Sequence, residues 1–101
     1  MKDICCYILY SETLGKFYTG ACQDSLQERI QKHNTHTYGN HRFTASANDW
    51  ELYFRIDVND YAHAIRLERK IKAMKSSKFI NNLKLYPELI TKITQETASS
   101  N

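Results

Sequence analysis

The chain of 101 residues carries a net charge of +3, with 42% hydrophobic and 25% charged residues, a globular composition on a length that fits one domain with a modest core. That excludes disorder over most of the chain, and it excludes a catalytic domain set beside a separate binding domain. The longest uncharged apolar run, residues 4–10, is seven residues against the roughly 20 that a bilayer span needs, and the start before it reads as no signal peptide, so a soluble cytoplasmic protein with no membrane partner is expected.

One Pro and three Gly punctuate the sequence, so element boundaries come from periodicity and capping residues. Residues 4–10, Ile4-Cys5-Cys6-Tyr7-Ile8-Leu9-Tyr10, are β-branched and aromatic without alternation, which predicts a strand covered on both faces and therefore central. A loop containing Gly15 leads to a second strand at 16–22, so the two form a β-hairpin. Ser25 and Glu28 make a capping box for a helix over 25–34. Residues 35–49 are polar and aperiodic, a surface loop of the kind that carries function. Residues 50–58 partly alternate and predict a third strand. Asn59 or Asp60 then caps a second helix over 61–75, interrupted by Ser76-Ser77. A short helical segment at 78–85 breaks before Pro87, a last weak helix follows at 88–94, and 95–101 reads as a frayed tail. The expectation is one domain over 1–94 of α/β (α+β) class, a three-stranded, mostly antiparallel sheet flanked by helices in the order β-β-α-β-α with short C-terminal helices.

Three cysteines, two of them adjacent (Cys5 and Cys6), fit neither a disulfide framework nor a zinc site, so all are expected to be reduced. Residues 1–50 carry five Lys/Arg against five Asp/Glu, whereas residues 51–101 carry nine against six. Much of that excess is Arg66, Arg69, Lys70, Lys72, Lys75 and Lys78, interrupted only by Glu68. Such clustering is the footprint of a phosphate-backbone binder, and a solvated helix face is the alternative.

Two helices carry polar residues on their apolar sides. In the second, Ala64, Ile65, Leu67, Ile71 and Met74 form a stripe, and Glu68 falls inside it. An inward carboxylate needs a partner, either an arginine or a hard divalent cation that takes oxygen ligands. In the first, Leu26, Arg29, Ile30 and His33 share a face. Arg29 there can offer a planar fork to a phosphate and His33 can move a proton, or else Arg29 is simply the structural partner of Glu68. If the hairpin pairs Tyr7 with Gly20 and Leu9 with Tyr18, both phenols share a sheet face and Gly20 leaves open space beside them; packing is the plainer reading of two sheet phenols.

Taken in order, Cys5-Cys6-Tyr7, then Tyr18-Thr19-Gly20 eleven residues on, Arg29-x-x-x-His33, Glu68 on a later helix and Asn81-Asn82 beyond it resemble the GIY-YIG nuclease domain. The likeness runs over residues 4–85 and is nearest to the small single-domain members, in stretches such as YTGACQDSLQERIQKHN and LERKIKAMKSSKFINNL. Cys5-Cys6 stands where the first motif has Gly-Ile, and Thr19 where the second has Ile. The resemblance implies that Tyr7 and Tyr18 are the motif tyrosines, Arg29 the catalytic arginine, His33 the histidine one turn on, Glu68 the metal ligand, and Asn81 or Asn82 the family asparagine. It implies phosphodiester hydrolysis with Mg²⁺ or Mn²⁺ on nucleic acid, DNA ahead of RNA and with low sequence specificity, Tyr7 or His33 serving as general base. Backbone contacts would come from the second-helix basic residues with Lys32, His41 and Arg42 around the long loop. A non-catalytic nucleic-acid-binding module and a protein-interaction domain held by a Glu68–Arg29 pair are the other two readings.

Overall fold

The computed structural model describes residues 2–36 and 43–98. Its sheet grows from the expected hairpin. β1 (Cys5–Ser11) and β2 (Lys16–Cys22) pair antiparallel, with Tyr7 opposite Gly20 and Leu9 opposite Tyr18. Gly15 turns the chain between them at φ +63°, a left-handed value that glycine adopts without penalty, and its N–H donates to the Ser11 carbonyl at 2.7 Å. β3 (Trp50–Asp57) pairs antiparallel with the other edge of β1, giving the order β2-β1-β3 with β1 central. Ile4 and Val58, expected as strand ends, fall just outside but share a backbone hydrogen bond of 3.0 Å.

The partial alternation of β3 has a structural cause. Its register with β1 shifts between Ile8 and Leu9, so that Ile8 faces Phe54 and Leu9 faces Leu52, leaving Tyr53 as an extra residue. This bulge lets Trp50 and Arg55, an odd number of residues apart, lie opposite Ser11 and Tyr7 on one sheet face. A strict alternation would have sent one of them to the other side.

Each face of β1 is covered. Cys6 and Ile8 pack with Ile56 of β3 and with Leu67, Ile71, Ile80, Leu83 and Ile93 from the helices α2 (Tyr61–Met74), α3 (Ser77–Leu85) and α4 (Pro87–Glu96). Cys5, Tyr7 and Leu9 pack with Cys22, Leu26 and Trp50 on the side of α1 (Leu26–Asn34). Burial pushes the Cys5 thiol up to about 12 and raises those of Cys6 and Cys22 as well. All three cysteines are free and buried, and they behave as small apolar residues rather than nucleophiles.

Caps hold the helices, at Ser25 and Asp60 as expected and also at Ser76, which was expected only to interrupt the second helix. Ser25 accepts from Glu28 N (3.2 Å), Asp60 from His63 N (2.8 Å) and Ser76 from Phe79 N (3.1 Å). Asp3 adds a second anchor to α1, accepting from Leu26 N at 2.9 Å while Arg55 reaches its other oxygen at 3.2 Å. The Leu26 amide, followed by Arg55, holds the Asp3 carboxyl below the usual carboxylate range.

Three expectations need correction. Met74 is 46% exposed rather than part of the buried stripe, because α2 ends there and the chain turns away at Lys75, φ +48°. The expected loop contains a 3₁₀ turn, Phe43–Ser46, with Thr44 buried. The expected fraying from residue 95 does not occur as far as residue 98: α4 runs to Glu96 and Thr97 is buried. Arg66 Nε donates to the Thr97 carbonyl at 2.6 Å, and His63 Nε2 lies 3.0 Å from Thr97 Oγ1. Two α2 side chains thus cap the C-terminal end of α4, a tie that the composition of the tail cannot reveal. Among the described residues no helix is long and apolar enough to cross a membrane.

Candidate active site

β2 is an edge strand, so α1 on one sheet face and α2 on the other can meet beside it. A cleft of about 150 Å³ opens there, lined by Tyr7, Tyr18, Gly20, Arg29, His33 and Glu68, with Ala21 and Tyr61 completing its wall. The residues expected to act together from β1, β2, α1 and α2 therefore share one cavity.

At its floor runs a buried hydrogen-bond chain. The Tyr7 hydroxyl lies 3.0 Å from His33 Nε2, and His33 Nδ1 lies 2.9 Å from Thr44 Oγ1. Tyr7, His33 and Thr44 are 1%, 4% and 2% exposed, so each polar atom in the chain has exchanged water for a fixed partner. Trp50 fixes the far end: its indole N–H donates to the Thr44 carbonyl at 2.8 Å. Asn34, at the end of α1, donates to Trp50 O at 2.9 Å and accepts from Trp50 N at 2.7 Å. Histidine, threonine and indole are thus tied to the start of β3, and the bulge is what keeps Trp50 on this face.

Gly20 acts differently from expectation. Rather than leaving open space, it lies under the Tyr7 ring, and a Cβ built on it would come within 2.5 Å of the Tyr7 Cζ and Oη atoms. Glycine is required there by close approach. Tyr18 stands alongside, its ring centroid 6.4 Å from that of Tyr7 and 4.9 Å from that of His33.

The two charged groups occupy the rim. Glu68, its side chain 18% exposed, accepts from Lys72 Nζ at 2.7 Å. Arg29, 25% exposed, donates from Nε to Asp24 at 3.2 Å. The ion pairs observed for the two are thus with Asp24 and with Lys72. An i, i+4 pair with a half-exposed lysine contributes only about 0.3–0.5 kcal/mol, so Lys72 holds Glu68 loosely.

The remaining expected residues are dispersed. Asn81 accepts from the Tyr53 hydroxyl at 2.5 Å, and the Asn82 carbonyl accepts from Tyr86 N at 2.9 Å. Neither lines the cleft. The basic residues do not form one stripe: at 100° per residue Lys72 and Lys75 lie within about 40° of Glu68, whereas Arg66 and Lys70 lie about 160° away. Arg66 is the cap on α4, and Lys70 borders Met74 and Phe79 on the outer side of the helices. Arg69, Lys78 and Lys32 are exposed and do not line this cleft. His41 and Arg42 lie outside the described residues. Thr44 and Tyr61 escaped the sequence reading. Tyr61 stands seven residues before Glu68, two helical turns, and that spacing could have found it; Thr44 sits in an aperiodic stretch that offers no such pattern.

Residues 3–83 match the GIY-YIG catalytic domain. With most of its length covered, the chain belongs to the GIY-YIG family, whose domains are generally nucleases acting on nucleic acid. No curated protein and no solved structure matches it.

Proposed function

We propose that this protein is a metal-dependent endonuclease that hydrolyses DNA phosphodiester bonds with little sequence preference. The observation that carries the reading is the convergence of the buried Tyr7–His33–Thr44 chain with Arg29 and Glu68 in one cleft. A proton-accepting phenol backed by a fixed imidazole, beside a guanidinium and a carboxylate, is a set suited to activating water against a phosphate.

In the tautomer this requires, His33 Nδ1–H donates to Thr44, and Nε2 accepts from the Tyr7 hydroxyl. A water attacking phosphorus gives its proton to the Tyr7 oxygen as that oxygen passes its own proton to His33 Nε2. Arg29 covers the charge that builds on the non-bridging phosphate oxygens. The bond from phosphorus to the 3′ oxygen breaks, that oxygen takes a proton from solvent, and the products carry a 5′ phosphate and a 3′ hydroxyl. The proton gained by His33 Nε2 passes back through the Tyr7 hydroxyl to bulk water when the product leaves, which restores the starting state.

Glu68 is the cleft's carboxylate, and among the described residues no group of three or more His, Cys, Asp or Glu side chains could hold a metal ion. That donor set fits Mg²⁺ or Mn²⁺ held by one protein ligand, water and the substrate phosphate, a common arrangement for Mg²⁺. When bound to Glu68 the ion would supply neutralisation of the phosphate and of the departing oxygen. Lys72 holds Glu68 only by an i, i+4 pair and would release the carboxylate to such an ion.

The test is cleavage of labelled duplex, branched and single-stranded DNA, and of RNA, by purified protein with Mg²⁺ or Mn²⁺. The expected result is DNA product that EDTA abolishes. Retention of DNA without any EDTA-sensitive product would favour a binding module on the same scaffold.

A further inference from the structure

A second concavity continues from the cleft along the β2 edge. It is an open groove of about 460 Å³, floored by Phe17, Tyr18 and Thr19 of β2 and walled by Lys16 and Phe43 on one side and by Lys72, Lys75 and Ser77 on the other. Tyr18 belongs to both concavities, and Lys72 spans them, pairing with Glu68 in one and lining the other.

The walls combine cations and rings. Lys16 Nζ lies 6.0 Å from the centroid of Phe43, a ring left 46% exposed. Lys72 Nζ lies 5.5 Å from that of Tyr18. The lining carries three lysines and no carboxylate. Lysine charge beside open aromatic faces is how proteins take an unpaired nucleic-acid strand, phosphates on the cations and bases on the rings. The volume is that of a pocket for a drug-sized ligand, enough for a nucleotide or two and too small for a duplex.

Lys75 points the same way. It holds φ +48°, ψ +42° at the end of α2, where helices that finish in the left-handed region usually place glycine. The backbone strain of a non-glycine residue there is kept while the residue lines the groove.

We infer that this groove binds an unpaired stretch of the substrate DNA next to the phosphate held in the cleft, with Phe43 as stacking platform and Lys16, Lys72 and Lys75 as phosphate contacts. The inference rests on the proposed DNA substrate.

Fluorescence anisotropy in EDTA, with a labelled oligothymidine strand and a blunt duplex of equal length, measures the groove without requiring catalysis. Phe43→Leu keeps an apolar cover over Trp50 but loses the flat face, and it is expected to weaken the single strand about tenfold while sparing the duplex; Phe43→Trp should restore binding. Lys16→Ala with Lys75→Ala should lower the single-strand salt slope by about 1.4, or about 0.7 for each phosphate left without its lysine. Lys75→Gly should weaken the strand while leaving the melting temperature unchanged or higher, which a purely structural lysine would not do. Equal losses on strand and duplex with Phe43→Leu, an unchanged salt slope, or binding of oligouridine RNA in place of DNA would overturn the assignment. Groove-dependent strand binding without metal-dependent cleavage would instead sink the hydrolase and leave the groove standing, whereas cleavage with no groove effect would sink the groove alone.

Discussion

The two faces of β1 are built from alternate residues of one seven-residue strand, yet they do different work. Toward α2, α3 and α4 the strand presents Cys6 and Ile8 to a cluster of Leu and Ile side chains. Toward α1 it presents Cys5, Tyr7 and Leu9, and there the apolar cover is interrupted by the Tyr7–His33–Thr44 chain. The first face gains stability from burial alone. The second keeps polar groups at depth, where each must be partnered, and this makes it rigid in orientation as well as in packing. Placing the site on the face opposite the main helical core lets the chemistry vary without loosening the fold. β2, as an edge strand, is where Glu68 reaches from the scaffold side to the reactive side.

Four substitutions sharpen or break that contrast. Tyr7→Phe should lower the cleavage rate by about 10²–10⁴-fold, while equilibrium unfolding shows a loss of about 1–3 kcal/mol for the hydrogen bond taken from the buried His33 imidazole. Ile8→Ala, its neighbour on the other face at 1% exposure, should behave in reverse, losing about 2–5 kcal/mol of stability with the rate per folded molecule retained. If denaturant titration gave the two the same stability loss and neither changed the rate, the division between faces would fail. Gly20→Ala should push the Tyr7 phenol off its bed against His33, and displacements of about 1 Å at reacting groups cost roughly 10²-fold; single-turnover rates and a melting curve would separate that from simple unfolding.

The smallest effect lies at the sheet's end and depends on pH. Asp49 accepts from Ser11 Oγ (2.6 Å), Thr13 N (2.9 Å) and Thr13 Oγ1 (2.8 Å), tying the hairpin turn to the start of β3. The Ser11 hydroxyl, then the Thr13 amide, hold its carboxyl below the usual carboxylate range. A depressed folded value means that the stabilisation is present above the unfolded value of about 3.9 and is lost as pH falls through the folded one. Asp49→Asn should therefore lower stability at neutral pH and flatten the acid limb below about pH 4. An acid limb as steep as that of wild type would show that Asp49 plays no part in it.

Local pattern carried most of the fold. The unbroken apolar run made β1 central, Ser25 and the Asn59-Asp60 pair marked the starts of the first two helices, and the register that joins Tyr7 to Gly20 was one that the two strands allowed. Helical spacing likewise brought Arg29, His33 and Glu68 toward one cavity. What stayed hidden depends on contacts between distant segments. Thr44 gains its role from His33 and Trp50, Arg66 is a cap only because α4 folds back to it, and the bulge at Tyr53 shows in sequence merely as imperfect alternation. The basic run illustrates the opposite error: residues adjacent in sequence look like a stripe, but a helix distributes them around its axis, and only Lys72 and Lys75 of the run meet the groove.

The central claim is that Glu68 serves a metal and a phosphate rather than the fold. It is tested most directly by Glu68→Gln, measuring Mg²⁺-dependent cleavage and thermal unfolding on the same preparation. The account predicts loss of metal-dependent cleavage across the Mg²⁺ titration, with stability reduced by no more than the about 0.3–0.5 kcal/mol of one i, i+4 pair with Lys72. Cleavage at the wild-type rate, or a stability loss of about 3–5 kcal/mol such as follows the breaking of a buried ion pair, would contradict it.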